Sequence, residues 1–127
     1  LKITSGDNSI LLPGDIEKKA EKILTASYPN FLESTILVAP HHGSNTSSTD
    51  DFVDLVKPKY VLFPVGYKNR FRLPHKKIIT RYLANGAILV NSSQTGRIAF
   101  KFNNKSDILN ADFYRETSQR FWHNNHD

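Results

Sequence analysis

Short apolar runs alternate with stretches of helical periodicity along this chain, and the alternation predicts an α/β fold. Runs rich in β-branched and aromatic residues predict strands at 35–38, 60–65, 87–90 and 97–102. Segments 1–4 and 9–12 flank the turn sequence Ser5-Gly6-Asp7-Asn8 and predict a hairpin. Strand 60–65 is apolar almost throughout, so it is expected near the centre of the sheet.

Three helices are predicted between these strands. Apolar residues recur at helical spacing from Ile16 to Leu24 and from Ile78 to Leu83, and a further helix is predicted from about 49 to 56. Asp15 stands where the first helix begins, so its carboxylate either caps that helix or binds a metal ion. Residues 92–96 predict a turn.

Composition narrows the classes of protein that the chain can belong to. At 127 residues and 39% hydrophobic residues it is predicted to be one globular domain, and no apolar run approaches the roughly 20 residues of a membrane helix. A net charge of +5 favours a polyanionic partner, and the lack of cysteine excludes disulfides and thiolate chemistry. Because the chain opens inside a predicted strand, without Met, we expect it to be a segment of a longer protein.

The loops after three successive strands carry residues typical of a metal site. Asp15 follows the second strand, Pro40-His41-His42-Gly43-Ser44 follows the third, and His75 follows the fourth. Such loops gather at one edge of an α/β sheet, so these residues are expected to converge. A carboxylate with imidazoles suits zinc, manganese or iron.

Three stretches together resemble the metallo-β-lactamase-like domain of the ComEC/Rec2 competence family: Leu11-Leu12-Pro13-Gly14-Asp15-Ile16, Ala39-Pro40-His41-His42-Gly43-Ser44 and Arg72-Leu73-Pro74-His75. The resemblance covers residues 1–102 and implies the C-terminal half of an αββα sandwich, with a mixed sheet and helices on one side. It implies a soluble domain of a bacterial inner-membrane channel for DNA uptake, on the extracytoplasmic side. Residues 103–127 are expected to form a partly ordered tail.

The resemblance also implies roles for individual residues. Asp15 matches an acidic position that bridges two metal ions, and His41 or His42 matches a later metal-ligating histidine, with the choice between them open. With Asp15 and His42 as catalytic residues, the complete domain is expected to hydrolyse phosphodiester bonds of incoming DNA with zinc or manganese. Ser44 is expected to bind a ligand or orient a histidine, and His75 is a further site residue.

The first metal motif of that superfamily, His-x-His-x-Asp-His or His-x-Asp-x-Asp-His, is absent from this sequence. The metal site is therefore expected to be incomplete, and the chain alone to be almost inactive. Two alternatives stay open. One is a non-catalytic DNA-binding or docking module of the uptake machinery, and the other is a hydrolase of a different phosphoester or lactone.

A basic segment after the fourth strand suits nucleic acid. Lys68, Arg70 and Arg72 alternate with Tyr67 and Phe71, which predicts phosphate contacts and base stacking along single-stranded DNA or a duplex end. The competing interpretation is a solvated loop with two anchoring aromatic residues.

Half of a sandwich leaves one apolar face of its sheet open. We expect this face either to pair with a second copy of the chain or to be covered by the C-terminal segment. The rest of the parent membrane channel protein is a further expected partner of the chain. In that segment His123 and His126 have a helical spacing that suits a metal ion, although such termini are more often disordered.

Overall fold

The computed structural model describes residues 1–102 and 110–118, and within them the chain forms a five-stranded mixed sheet and a separate hairpin. The large sheet has the order β1-β2-β3-β4-β5, and β1 is antiparallel to β2 while the other neighbours are parallel. Its strands are β1 (Lys2–Ser5), β2 (Asn8–Leu11), β3 (Ile36–Val38), β4 (Tyr60–Phe63) and β5 (Ile88–Asn91). The predicted α/β class is confirmed, as is the mixed sheet.

Helices connect the parallel strands, because parallel neighbours need a crossover. They are α1 (Lys18–Ser27), α2 (Asp50–Val56) and α3 (Lys76–Ala84). Among the described residues, none of the helices combines the length and the apolar character that a membrane crossing requires.

The predicted turn at 92–96 is wrong, since residues Ser92–Thr95 form a one-turn helix, α4. Its cause is local: the side chain of Asn91 accepts a hydrogen bond from the backbone N–H of Ser93 at 2.9 Å and caps the turn. Beyond it, β6 (Ile98–Lys101) pairs antiparallel with β7 (Asn110–Phe113), and the short helix α5 (Tyr114–Thr117) follows. Strand β7 and helix α5 lie in the tail that was predicted to be partly ordered, and the sequence did not predict these two elements.

One face of the large sheet packs on the helices. Leu37, Val61 and Phe63 are buried here against Phe52 of α2 and Tyr82 of α3. The rings of Phe63 and Tyr82 meet edge to face, with centroids 6.0 Å apart. This core fixes the position of the C-terminal ends of β3 and β4, from which the site loops leave.

Alternate residues of the same strands make a second apolar face. Strand pairing aligns Ile36 with Tyr60 and Tyr60 with Ile88. Each of these residues is one position before a residue of the row that contains Leu37 and Val61, so their side chains point to the opposite side of the sheet. Phe100 of β6 packs on Tyr60 with ring centroids 5.2 Å apart, while Ile88 remains 49% exposed. The hairpin thus covers part of this face, and pairing with a second copy stays a prediction.

Candidate functional site

The loops after β2, β3 and β4 meet at the C-terminal edge of the parallel strands, as the sequence predicts. The backbone N–H of His41 donates to the carbonyl oxygen of Gly14 at 3.1 Å, which joins the first loop to the second. The N–H of His75 donates to the carbonyl oxygen of Gly43 at 2.9 Å, which joins the second loop to the third. Backbone hydrogen bonds therefore hold all three candidate segments side by side.

The histidine loop has an unusual backbone. His41, His42 and Gly43 all have positive φ, at 48°, 56° and 83°. A residue other than glycine in the left-handed region raises the free energy of the folded state by of order 1–3 kcal/mol, and it persists only where the surrounding structure enforces it. A β-carbon on Gly43 would lie 2.7 Å from Cβ of Pro74 and 2.8 Å from the ring of Phe63, so only glycine fits here.

Asp15 contacts His42. Its Oδ1 lies 3.5 Å from Nε2 of the imidazole, and the two side chains are 70% and 45% exposed. The other ring nitrogen, Nδ1, lies 2.9 Å from the carbonyl oxygen of Pro64. The capping interpretation of Asp15 is wrong, because α1 begins at Lys18 and its N-terminal flanking residue is Glu17.

His41 makes a parallel pair with Glu17. Its Nδ1 lies 3.2 Å from Oε1 of Glu17, and the hydroxyl of Thr46 donates to the same oxygen at 2.7 Å. Sequence reasoning missed Glu17, although its position two residues after Asp15 was the available signal. The site is thus built from two adjacent carboxylate–imidazole pairs, Asp15 with His42 and Glu17 with His41.

Ser44 and His75 lie at the edge of this site. The Ser44 hydroxyl is 3.0 Å from that of Thr46, which connects it to the pair of His41. The imidazole of His75 caps α3 by accepting from the backbone N–H of Lys77 at 3.3 Å. Their predicted roles toward a ligand stay predictions.

The two pairs do not make a complete metal centre. Within residues 1–102 and 110–118, no three His, Cys, Asp or Glu side chains come together in an arrangement that could hold a metal ion. His123 and His126, the other suggested ligands, lie outside the described residues. The described residues could therefore supply only some of the ligands of a metal ion.

The basic loop lies between β4 and α3, at the same edge. Lys68 lies over the ring of Tyr67 at 5.2 Å, and Arg70 over the ring of Phe71 at 4.7 Å. The side chain of Asn69 bonds the backbone N–H and carbonyl of Leu73, both at 2.8 Å, and so closes the loop. Lys68, Arg70 and Arg72 are exposed. The loop that carries them contacts the histidine loop at its two ends, Pro64 and His75.

A buried carboxylate anchors the far end of the histidine loop. Glu21 of α1 is fully buried and accepts the backbone N–H groups of Ser48 and Thr49. The hydroxyl of Ser48 accepts from that of Tyr82 at 2.8 Å. Burial raises the pKa of the Tyr82 hydroxyl above its ordinary value.

The sequence of this chain is similar to segments of several known proteins. The chain is 35% identical over 100 residues to Competence protein ComA of Neisseria gonorrhoeae, a match that covers 79% of this chain and 14% of that protein. It is 29% identical over 105 residues to ComE operon protein 3 of Bacillus subtilis, covering 83% of this chain and 13% of that protein. The chain is therefore similar to a segment of each of these two longer proteins.

A third relative, the Uncharacterized protein YcaI of Escherichia coli, is 37% identical over 102 residues, covering 80% of the chain and 14% of that protein. The chain thus spans about one seventh of the length of these three relatives. No family model matches the chain. No solved structure matches it.

Proposed function

We propose that this chain is a segment of a longer competence protein that takes up DNA, and that its domain hydrolyses phosphodiester bonds of the incoming DNA. The competence role is supported by the names of its relatives, Competence protein ComA and ComE operon protein 3. In this proposal the domain has the metallo-β-lactamase-like fold, of which the chain forms the C-terminal half. It lies on the extracytoplasmic side of the membrane channel.

One observation supports the ion-binding part of the proposal, the contact between Asp15 and His42. A carbonyl oxygen only accepts hydrogen bonds, so the contact of Nδ1 with Pro64 assigns the proton of a neutral His42 to Nδ1. Its Nε2 then presents a lone pair to a carboxylate oxygen 3.5 Å away. A cation bound between two acceptors at this separation would stabilise their arrangement.

The cation we propose is a divalent zinc or manganese ion, because oxygen and imidazole donors suit both. Asp15 and His42 would supply part of its coordination sphere, and donors outside the described residues would supply the remainder. Such an ion contributes Lewis acidity to the hydrolysis of phosphate esters. The described residues of this chain do not complete the site. We expect the isolated chain to be almost inactive.

The basic loop supplies the proposed contact with DNA. Exposed Lys68, Arg70 and Arg72 would neutralise phosphates, and Phe71, 67% exposed, offers a ring on which a base can stack. The loop lies at the same sheet edge as Asp15 and His42, so a strand held there would pass the ion-binding pair.

Nuclease activity is tested on the purified parent protein with end-labelled linear DNA and Mn²⁺ or Zn²⁺. We expect degradation of one strand, reduced at least tenfold by Asp15→Ala and by His42→Ala. The matched control is Asp7→Ala, which removes an exposed carboxylate in the β1–β2 turn. Degradation that survives both site substitutions would contradict the proposal.

A second candidate, a non-catalytic DNA-docking module, is favoured by the lack of a three-ligand group in the described part of the chain. Such a module binds DNA through the basic loop and needs no ion. It predicts unchanged DNA affinity in Asp15→Ala, and weaker affinity with a shallower salt dependence in Arg70→Ala. Binding without any strand degradation by the parent protein would favour this candidate over the nuclease.

A further inference from the structure

Glu17 lies in the loop that carries Asp15, yet it contacts the other histidine of the pair. Its Oε1 is 3.2 Å from Nδ1 of His41 and accepts the hydroxyl proton of Thr46 at 2.7 Å. The Thr46 oxygen is itself 3.4 Å from the same Nδ1. Three polar atoms, one from each residue, therefore form a closed triangle beside the imidazole ring.

The protons of this triangle can be assigned. The Thr46 hydroxyl has a single proton, and its short contact with the carboxylate uses it. Both oxygens near Nδ1 are then acceptors for His41, so a neutral imidazole carries its proton on Nδ1. The lone pair consequently lies on Nε2, the nitrogen that can bind an ion or accept a proton.

His42 has the same assignment from a different partner. Its Nδ1 faces the carbonyl oxygen of Pro64 at 2.9 Å, which also places the lone pair on Nε2. Neighbouring histidines in left-handed backbone thus have the same tautomer, one set by the main chain and one by a side chain. A main-chain partner persists through side-chain substitutions, whereas Glu17 can be removed.

We propose that Glu17 is a positioning residue that holds His41 in the Nδ1–H tautomer and so makes Nε2 its ligand nitrogen. This inference rests on the proposed ion-binding function of the site, and it gives His41 a place beside His42 in that function. Ligand histidines in metal sites commonly donate their second nitrogen to a carboxylate in this way.

The test is ¹⁵N NMR of the imidazoles in the 127-residue chain at about pH 8.5, above the ordinary titration range of histidine. Protonated and unprotonated ring nitrogens have well-separated ¹⁵N shifts. We expect Nδ1–H for both His41 and His42 in the unmodified chain. Glu17→Ala should convert His41 to a mixture dominated by Nε2–H and leave His42 unchanged.

Two further variants sharpen the result. Thr46→Val keeps the Glu17 acceptor and should leave His41 as Nδ1–H, while Glu33→Ala removes an exposed carboxylate away from the site and should change neither ring. The inference is overturned if His41 carries its proton on Nε2 in the unmodified chain, or if Glu17→Ala leaves its tautomer unaltered.

A Zn²⁺ titration of the same samples separates this inference from the proposed function. A Glu17-dependent tautomer, with a response of both histidines to Zn²⁺ that weakens for His41 in Glu17→Ala, supports both. A Glu17-dependent tautomer in a chain whose histidines ignore Zn²⁺ supports the positioning contact and counts against the ion-binding proposal.

Discussion

Of the six glycines, Gly43 has the least room for a side chain, and the cost of the alanine variant can be worked out from its surroundings. Its φ of 83° lies in the left-handed region, which costs an alanine about 1–2 kcal/mol. The new β-carbon would also lie 2.7 Å from Cβ of Pro74 and 2.8 Å from the buried ring of Phe63. Overpacking of this kind costs about 1–3 kcal/mol, so Gly43→Ala should lower the free energy of unfolding by about 2–5 kcal/mol.

Variants of two other glycines separate the cost of the left-handed backbone from the cost of overpacking. Gly86 has a φ of 82°, and a β-carbon added there would have no atom within 4 Å, so Gly86→Ala should show the backbone cost alone, about 1–2 kcal/mol. Gly66 has open space and no left-handed φ, so Gly66→Ala should be neutral or stabilising by up to about 1 kcal/mol. Urea denaturation followed by circular dichroism measures all three. A loss for Gly43→Ala no larger than that for Gly86→Ala would refute the close packing of the histidine loop on Phe63 and Pro74.

Three further predictions concern stability. Glu21→Gln should lower the free energy of unfolding, measured by urea denaturation, by about 2–3 kcal/mol, because a buried carboxylate that accepts two N–H groups becomes an amide. Glu33→Gln, at an exposed position, should leave the free energy of unfolding almost unchanged. Burial raises the pKa of Tyr82, so above about pH 10 the unfolded chain releases a proton that the folded chain keeps. The free energy of unfolding should therefore fall by about 1.4 kcal/mol per pH unit more steeply there than in Tyr82→Phe, and equal slopes would contradict the burial. Phe100→Ala removes the ring that packs on the second sheet face and should cost about 1–3 kcal/mol, whereas Phe31→Ala, at a residue 71% exposed, should cost under about 0.5 kcal/mol; similar losses would argue against that packing.

Hydrophobic periodicity predicted most of the sheet and its three crossover helices because each element has one clear apolar pattern. The convergence of Asp15 with the histidines was also predictable, since it follows from the topology of parallel strands. Strand β7 was not, because Asn110-Ala111-Asp112-Phe113 is polar and gains its strand structure only by pairing with β6.

The individual partners in the site depend on distances that no local pattern contains. Glu21 looks like a solvated helix residue, yet it is fully buried because backbone N–H groups 27 and 28 residues away satisfy its carboxylate. The choice between His41 and His42 as the neighbour of Asp15 depends on the left-handed turn at both residues. The residue types of the site could be predicted from the sequence, whereas the pairing of each carboxylate with its histidine depends on the backbone conformation.

We propose that Asp15 and Nε2 of His42 face each other as two acceptors that bind an ion together. The most direct measurement is a Zn²⁺ titration of the 127-residue chain, followed through the ¹⁵N shift of His42 Nε2, in the unmodified chain and in Asp15→Ala. We predict a saturable shift of this nitrogen that requires a much higher Zn²⁺ concentration once the carboxylate is removed. An Nε2 that does not respond, or that responds equally in Asp15→Ala, would contradict it.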